Sequence, residues 1–127
     1  MMQQLKVVVT EDNNQFFKNY QKDFAAYGIQ TVACEKNGQA LLNKTLAVRP
    51  DIILADVFMP NIDILGVLKN IQEKDKSERP MVMVMSNFDN QRLEKETLEA
   101  GASYYFLKFR PPTNIDSKEG ILVFSIQ

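Results

Sequence analysis

Residues 50–60, PDIILADVFMP, constrain this chain more than any other stretch. Ile52, Ile53, Leu54 and Ala55 form an unbroken apolar run with no polar face. Such a run suits a central strand of a parallel sheet, covered by helices on both sides. The run stops on a carboxylate, Asp56, and Met59-Pro60 follows closely. Proline cannot donate a ladder hydrogen bond, so the strand has ended by Pro60. Packing gives no reason for a lone acid at the carboxyl end of a buried strand. In open α/β sheets that edge is where ligands bind.

The rest of the chain supplies the sheet. Residues 5–10, LKVVVT, are rich in β-branched and apolar side chains and predict a strand ending in Glu11-Asp12-Asn13-Asn14, two acids followed by helix-capping types. Phe16, Phe17, Tyr20, Phe24 and Tyr27 recur at near-helical spacing as a core-facing set, and Gly28 closes that helix. A second strand is expected over 29–33. Asn37-Gly38 marks a turn, Ala40, Leu41, Leu42, Leu46 and Val48 mark a second helix, and Arg49-Pro50 breaks it. A third helix over 64–73 follows from Ile62, Leu65, Leu68 and Ile71, and the charged run 74–79 reads as a solvated loop. Met81, Met83 and Met85 alternate with valines in a fourth buried strand, as core filler, with Ser86 behind them. A polar helix over 90–100 turns Leu93 and Leu98 inward, and a fifth strand over 102–107 runs into Lys108. The order βαβαβαβαβ with short connections predicts the α/β class, a doubly wound, five-stranded parallel sheet. After Pro111-Pro112 the pattern fails: residues 120–126 read as strand, so a fifth helix is hard to find. The expected division is a domain over 1–110 and an atypical tail over 111–127.

Composition removes whole classes of chemistry. A chain of 127 residues is most simply one domain, and its formal net charge of −1 gives no general attraction to nucleic acid or an anionic membrane. One cysteine, Cys34, excludes an internal disulfide and fits a reducing compartment. No apolar run reaches the ~20 residues that cross a bilayer, and no signal-peptide core precedes the first strand. A soluble cytoplasmic domain is the expectation. There are no histidines, which removes histidine acid–base catalysis, Ser-His and Cys-His nucleophile pairs and histidine metal sites. Any metal would be held by oxygen, which points to Mg²⁺ or a similar hard cation.

All strands of a parallel sheet end on one edge, so that edge collects Glu11, Asp12, Asp56, Ser86 and Lys108. Three crowded carboxylates repel one another unless a cation compensates them or their pKa values rise. An all-oxygen site of this kind suits Mg²⁺, which also binds phosphate oxygens. A lysine and a hydroxyl beside it complete a cage for a phosphoryl group, and a carboxylate can accept one as an acyl phosphate. Singly, each residue has a plain structural role. Glu11, Asp12 and Asn13 can begin and cap a helix, Ser86 can be a loop residue, and Lys108 a solvated cation.

VVVTEDN at 7–13, PDIILADVFMPNID at 50–63, Ser86 and GASYYFLK at 101–108 together resemble the receiver (CheY-like) domain of two-component response regulators, over about residues 5 to 108. RPDIILADVFMP and GASYYFLK are most similar to the receiver of the sporulation transcription regulator of spore-forming firmicutes. The resemblance implies a flavodoxin-like sheet of strand order 2-1-3-4-5. It also implies that Asp56 accepts a phosphoryl group from a histidine kinase or histidine phosphotransferase, in a phosphorelay controlling an output domain, transcriptional in kind, that lies outside this chain. Asp12, Asp56 and the main-chain carbonyl of Phe58 would bind Mg²⁺ directly, and Glu11 largely through water. Lys108 would contact the phosphoryl group, Ser86 would follow it inward, and Tyr105 would be the aromatic switch. That switch couples the site to the face of the fourth helix, fifth strand and fifth helix, through which a homodimer would form. Such a module is not an enzyme with a separate substrate.

Several positions depart from the family pattern. Glu11 replaces the commoner aspartate, Ile64 stands where glycine usually follows the acid at Asp63, and Asn87 replaces a small residue. Phe109 replaces the proline that usually follows the lysine, where a cis bond would cost ~2.5–4 kcal/mol. Ile64, Asn87, Phe109 and the atypical tail support an alternative, a degenerate receiver acting as a phosphorylation-independent interaction module. A third class, a Mg²⁺-dependent phosphatase, lacks a second acid two residues beyond Asp56, where Phe58 stands. Phe58 and Phe88 beside the site would exclude water and lengthen the phosphorylated lifetime.

Overall fold

The computed structural model describes residues 4–11, 13–87 and 89–107. Within them the chain alternates β1 (Leu5–Thr10), α1 (Asn14–Ala25), β2 (Ile29–Cys34), α2 (Gly38–Val48), β3 (Ile52–Asp56), α3 (Ile64–Gln72), β4 (Met81–Ser86), α4 (Gln91–Glu99) and β5 (Tyr104–Leu107). The five strands form one parallel sheet in the order β2-β1-β3-β4-β5. This is the expected flavodoxin-like arrangement. The expected fifth helix and the tail fall on residues outside those described.

Alternation along the central strands builds a core on each face of the sheet. Val8, Ile53, Ala55, Val82 and Val84 pack with Leu41 of α2 and with Ile64, Val67, Leu68 and Ile71 of α3. Val7, Val9, Ile52, Leu54, Met83, Met85 and Phe106 face the other way and meet Phe24 of α1. Every residue of β3 is buried, Asp56 included. A strand without a polar face is thus a strand with helices on both sides.

Each α-helix among the described residues starts on a side-chain cap. Asn13, Asn37, Asp63 and Asn90 accept backbone N–H groups at the first turns of α1, α2, α3 and α4. Asp63 accepts from the N–H of Gly66 at 2.9 Å, and Ile64, the departure from glycine, begins α3 and is 2% exposed in the core. An isoleucine there is spent on packing and leaves the cap intact. Asn61, before the cap, takes the left-handed conformation with φ 73°, which asparagine tolerates better than most residues.

Three expectations are corrected in detail. Tyr27 is 46% exposed, because it follows the end of α1 and no longer follows the helical stripe. Leu98 is also exposed, and Thr97 takes the buried position on α4, its hydroxyl donating to the carbonyl of Leu93 at 2.7 Å. A threonine can face the core because the helix backbone satisfies its hydroxyl. The charged run after α3 is more than a solvated loop. It holds a 3-10 turn at Lys76–Glu78, and the Arg79 guanidinium donates to the carbonyls of Lys74 (3.0 Å) and Gln72 (2.8 Å), closing the end of α3.

Candidate functional site

Asp56 is the last residue of β3 and only 3% exposed. Its backbone N–H donates to the hydroxyl of Thr10 on the neighbouring strand at 3.0 Å. That hydroxyl is fully buried, so it fixes where β3 leaves the sheet. One residue on, the N–H of Val57 donates to the carbonyl of Met85 at 2.8 Å, tying the exit to β4. The N–H of Phe58 then turns back onto Oδ1 of Asp56 at 3.2 Å. The backbone at Asp56 and Val57 is therefore tied to both neighbouring strands, and the carboxylate is held by its own loop.

Glu11 follows β1 at the same edge and is 9% exposed. Its Oε2 accepts the N–H of Asn13 at 3.0 Å, while Asn13 caps α1. The two carboxylates share a common field. The Tyr20 hydroxyl has its pKa raised well above the ordinary phenol value, first by burial, then by the charge of Glu11, then of Asp56 and Asp23. Tyr20 stays protonated and donates to Sδ of Met85 at 3.4 Å. Ser86 ends β4 at this edge with no exposed surface. Tyr105 lies opposite Val84 in the sheet, half-buried against the core shared with Leu93 and Ala100. Glu11, Asp56 and Ser86 thus all lie at the carboxyl edge. Asp12, Phe88 and Lys108 lie outside the described residues. Phe58 is more than half exposed, at a shallow groove it shares with Lys36, Met59, Pro60 and Asp63.

One residue of the site is absent from the sequence reading. The ammonium of Lys36, in the loop between β2 and α2, lies 3.2 Å from Oδ2 of Asp56. The same rule that collected the other residues would have found it, since Lys36 follows the carboxyl end of a parallel strand. The obstacle is distance, because β1 stands between β2 and β3. The loop crosses that gap because the N–H of Gly38 donates to the carbonyl of Pro60 at 3.1 Å, joining it to the loop that follows β3.

The donor set suits a hard divalent cation. Two buried carboxylates at one edge supply oxygen and excess negative charge, and Mg²⁺ takes oxygen ligands. Among the described residues no three acidic, cysteine or histidine side chains cluster closely enough to cage a metal by themselves. Glu11 and Asp56 would hold a cation that keeps part of its water.

The family model for the response regulator receiver domain matches residues 7–118. Among solved structures, the signal receiver domain of the response regulator NarL from Mycobacterium tuberculosis aligns with TM-score 0.75 at 24% identity, covering 98% of this chain and 94% of that one. The chemotaxis response regulator CheY4 of Vibrio cholerae aligns with TM-score 0.75 at 17% identity, covering 98% of both chains. A DNA-binding response regulator of the LuxR family from Staphylococcus aureus aligns with TM-score 0.71 at 20% identity, over 84% of this chain and 88% of that one. At such identities the structures speak for the fold, and the family match speaks for descent. This chain belongs to the response regulator receiver domain family.

Proposed function

We propose that the chain is a phosphoryl-accepting receiver with Asp56 as the acceptor. The observation that carries this reading is a 3%-exposed aspartate at the carboxyl end of a central strand, placed by Thr10 and sharing an edge with Glu11 and Ser86. In the transfer, a carboxylate oxygen of Asp56 attacks phosphorus in a phosphohistidine. The P–N bond breaks, an acyl phosphate forms, and the imidazole leaves with its electron pair. Bound Mg²⁺ would neutralise charge on the phosphoryl oxygens. Glu11, Asp12, Asp56 and the carbonyl of Phe58 would hold it. Lys108 would contact the phosphoryl group, and Ser86 would follow it inward. The change would pass through Tyr105 to the face of α4 and β5, where a homodimer would form.

Receiver domains work with histidine kinases or phosphotransferases, and those are the donors proposed here. They are signalling modules, and this one is proposed to act without a separate substrate. Among the described residues no helix is long and apolar enough to cross a membrane, in keeping with a cytoplasmic relay component. A transcriptional output in another polypeptide segment is in keeping with the DNA-binding response regulator among the structural neighbours. Sporulation as the regulated process rests on two sequence stretches alone, and the neighbours above are of NarL, LuxR and CheY types.

Incubation with phosphoramidate and Mg²⁺, followed by intact-mass measurement, is expected to show one phosphoryl adduct that Asp56→Asn abolishes. An unmodified wild-type chain would favour the phosphorylation-independent interaction module. Once formed, the adduct is expected to decay several-fold faster in Phe58→Asn, since a polar side chain at the mouth admits water. Equal decay of label in the two proteins would remove Phe58 from that role.

A further inference from the structure

Among the described residues, a cation reaches Asp56 from the loop between β2 and α2. Lys36 reaches Asp56 from a loop two strands away, and its ammonium sits on Oδ2, while Oδ1 is taken by the N–H of Phe58. The lysine side chain is 27% exposed and the aspartate 4%, so the contact is shielded from bulk water on the carboxylate side. Its position is built. Asn37 caps α2 immediately after Lys36, the N–H of Asn37 donates to the carbonyl of Glu35 at 2.8 Å, and Gly38 is bonded to Pro60. The backbone on the helix side of Lys36 therefore has little freedom to swing away.

We propose that Lys36 is a positioning residue that acts as an internal counter-cation on Asp56 and competes with the divalent cation for that carboxylate. This inference rests on the reading of Asp56 and Glu11 as a Mg²⁺ site. An ammonium at hydrogen-bond distance and a divalent cation draw on the same oxygen charge, and two cations on one carboxylate repel each other. Lys36 therefore raises the Mg²⁺ concentration the domain needs. It also keeps Asp56 compensated and oriented between phosphorylation cycles. Lys36 is one partner of a closely fixed pair, so its effect should be specific to Asp56 and not a general matter of surface charge.

Calorimetric titration with MgCl₂ tests this on the unphosphorylated full chain. Lys36→Met keeps the aliphatic stem and removes the charge, and it is expected to lower the Mg²⁺ Kd by about 3- to 10-fold, which is the size of one moderately shielded charge contact. Lys36→Arg should stay within about twofold of wild type. The gain should largely vanish when Lys36→Met is made in Asp56→Asn, because the partner is gone. Lys44→Met, on α2, serves as the charge control and should also stay within about twofold. An unchanged or weaker affinity in Lys36→Met overturns the proposal, as does an equal gain in the Asp56→Asn background. If the wild-type chain itself takes up no Mg²⁺, the divalent-cation reading fails and the proposal falls with it. Wild-type binding with no response to Lys36 removes the proposal alone.

Discussion

Phe24→Ala is expected to destabilise the fold by about 3–5 kcal/mol, the usual cost of emptying a fully buried aromatic site. Phe24 is the one fully buried residue of α1 and belongs to the core that includes Val7, Val9, Ile29, Leu54 and Met83. Phe17 and Tyr20 are only partly buried around it, so the docking of α1 depends on this ring. A domain of ordinary stability holds about 5–15 kcal/mol in all, and the loss amounts to a large share of that. In thermal unfolding it should appear as a fall of about 15 °C in Tm. Tyr27→Ala, just beyond the same helix and 46% exposed, should change stability by no more than about 0.5 kcal/mol. Similar losses in the two variants would mean that α1 does not dock through Phe24.

Gly38→Ala sets two effects against each other. Gly38 opens α2, and alanine in a helix is worth up to about 1 kcal/mol over glycine. Against this, an added Cβ would drive into the backbone carbonyl oxygen of Ile62, with the carbonyl carbon at 2.6 Å and the Ile62 Cβ at 2.8 Å. Overpacking against backbone belongs at the upper end of the ~1–3 kcal/mol range, because no rotamer change relieves it. The clash wins, and a net loss of about 2 kcal/mol is expected in urea denaturation. Gly66→Ala is the informative contrast. Its nearest obstacle is a side-chain methyl, Cγ2 of Ile62, at 2.7 Å. A rotamer change of Ile62 can relieve that contact, and the variant should lie within about 1 kcal/mol of wild type. Gly38→Ala should further loosen the bond to Pro60 and with it the approach of Lys36 to Asp56.

These two positions also show what could be read from the sequence and what could not. The sheet was legible because its signal is local. Apolar runs at 52–55 and 81–85 have no polar face, and only a strand with cover on both sides satisfies them. The placement of Asp56 and Ser86 at one edge followed from parallel topology alone. Lys36 did not follow, because its position depends on Gly38 meeting Pro60 across another strand. Contacts between loops leave no periodicity in a sequence. The same holds for Thr10, which reads as an ordinary β-branched strand residue yet supplies the hydroxyl that anchors Asp56. Tyr27 and Leu98 differ from expectation for local reasons, since Tyr27 lies beyond the end of α1 and the buried position on α4 belongs to its neighbour Thr97.

Thr10 and Asp56 are separated by 46 positions in sequence and joined by one hydrogen bond. A peptide spanning the Asp56 segment alone would carry the same carboxylate without the strand that aims it. On the proposed reading, competence to receive a signal is therefore conferred by folding and withheld from nascent or misfolded copies. On that same reading, the hydroxyl of Thr10 ties the placement of Asp56 to the completion of the central sheet.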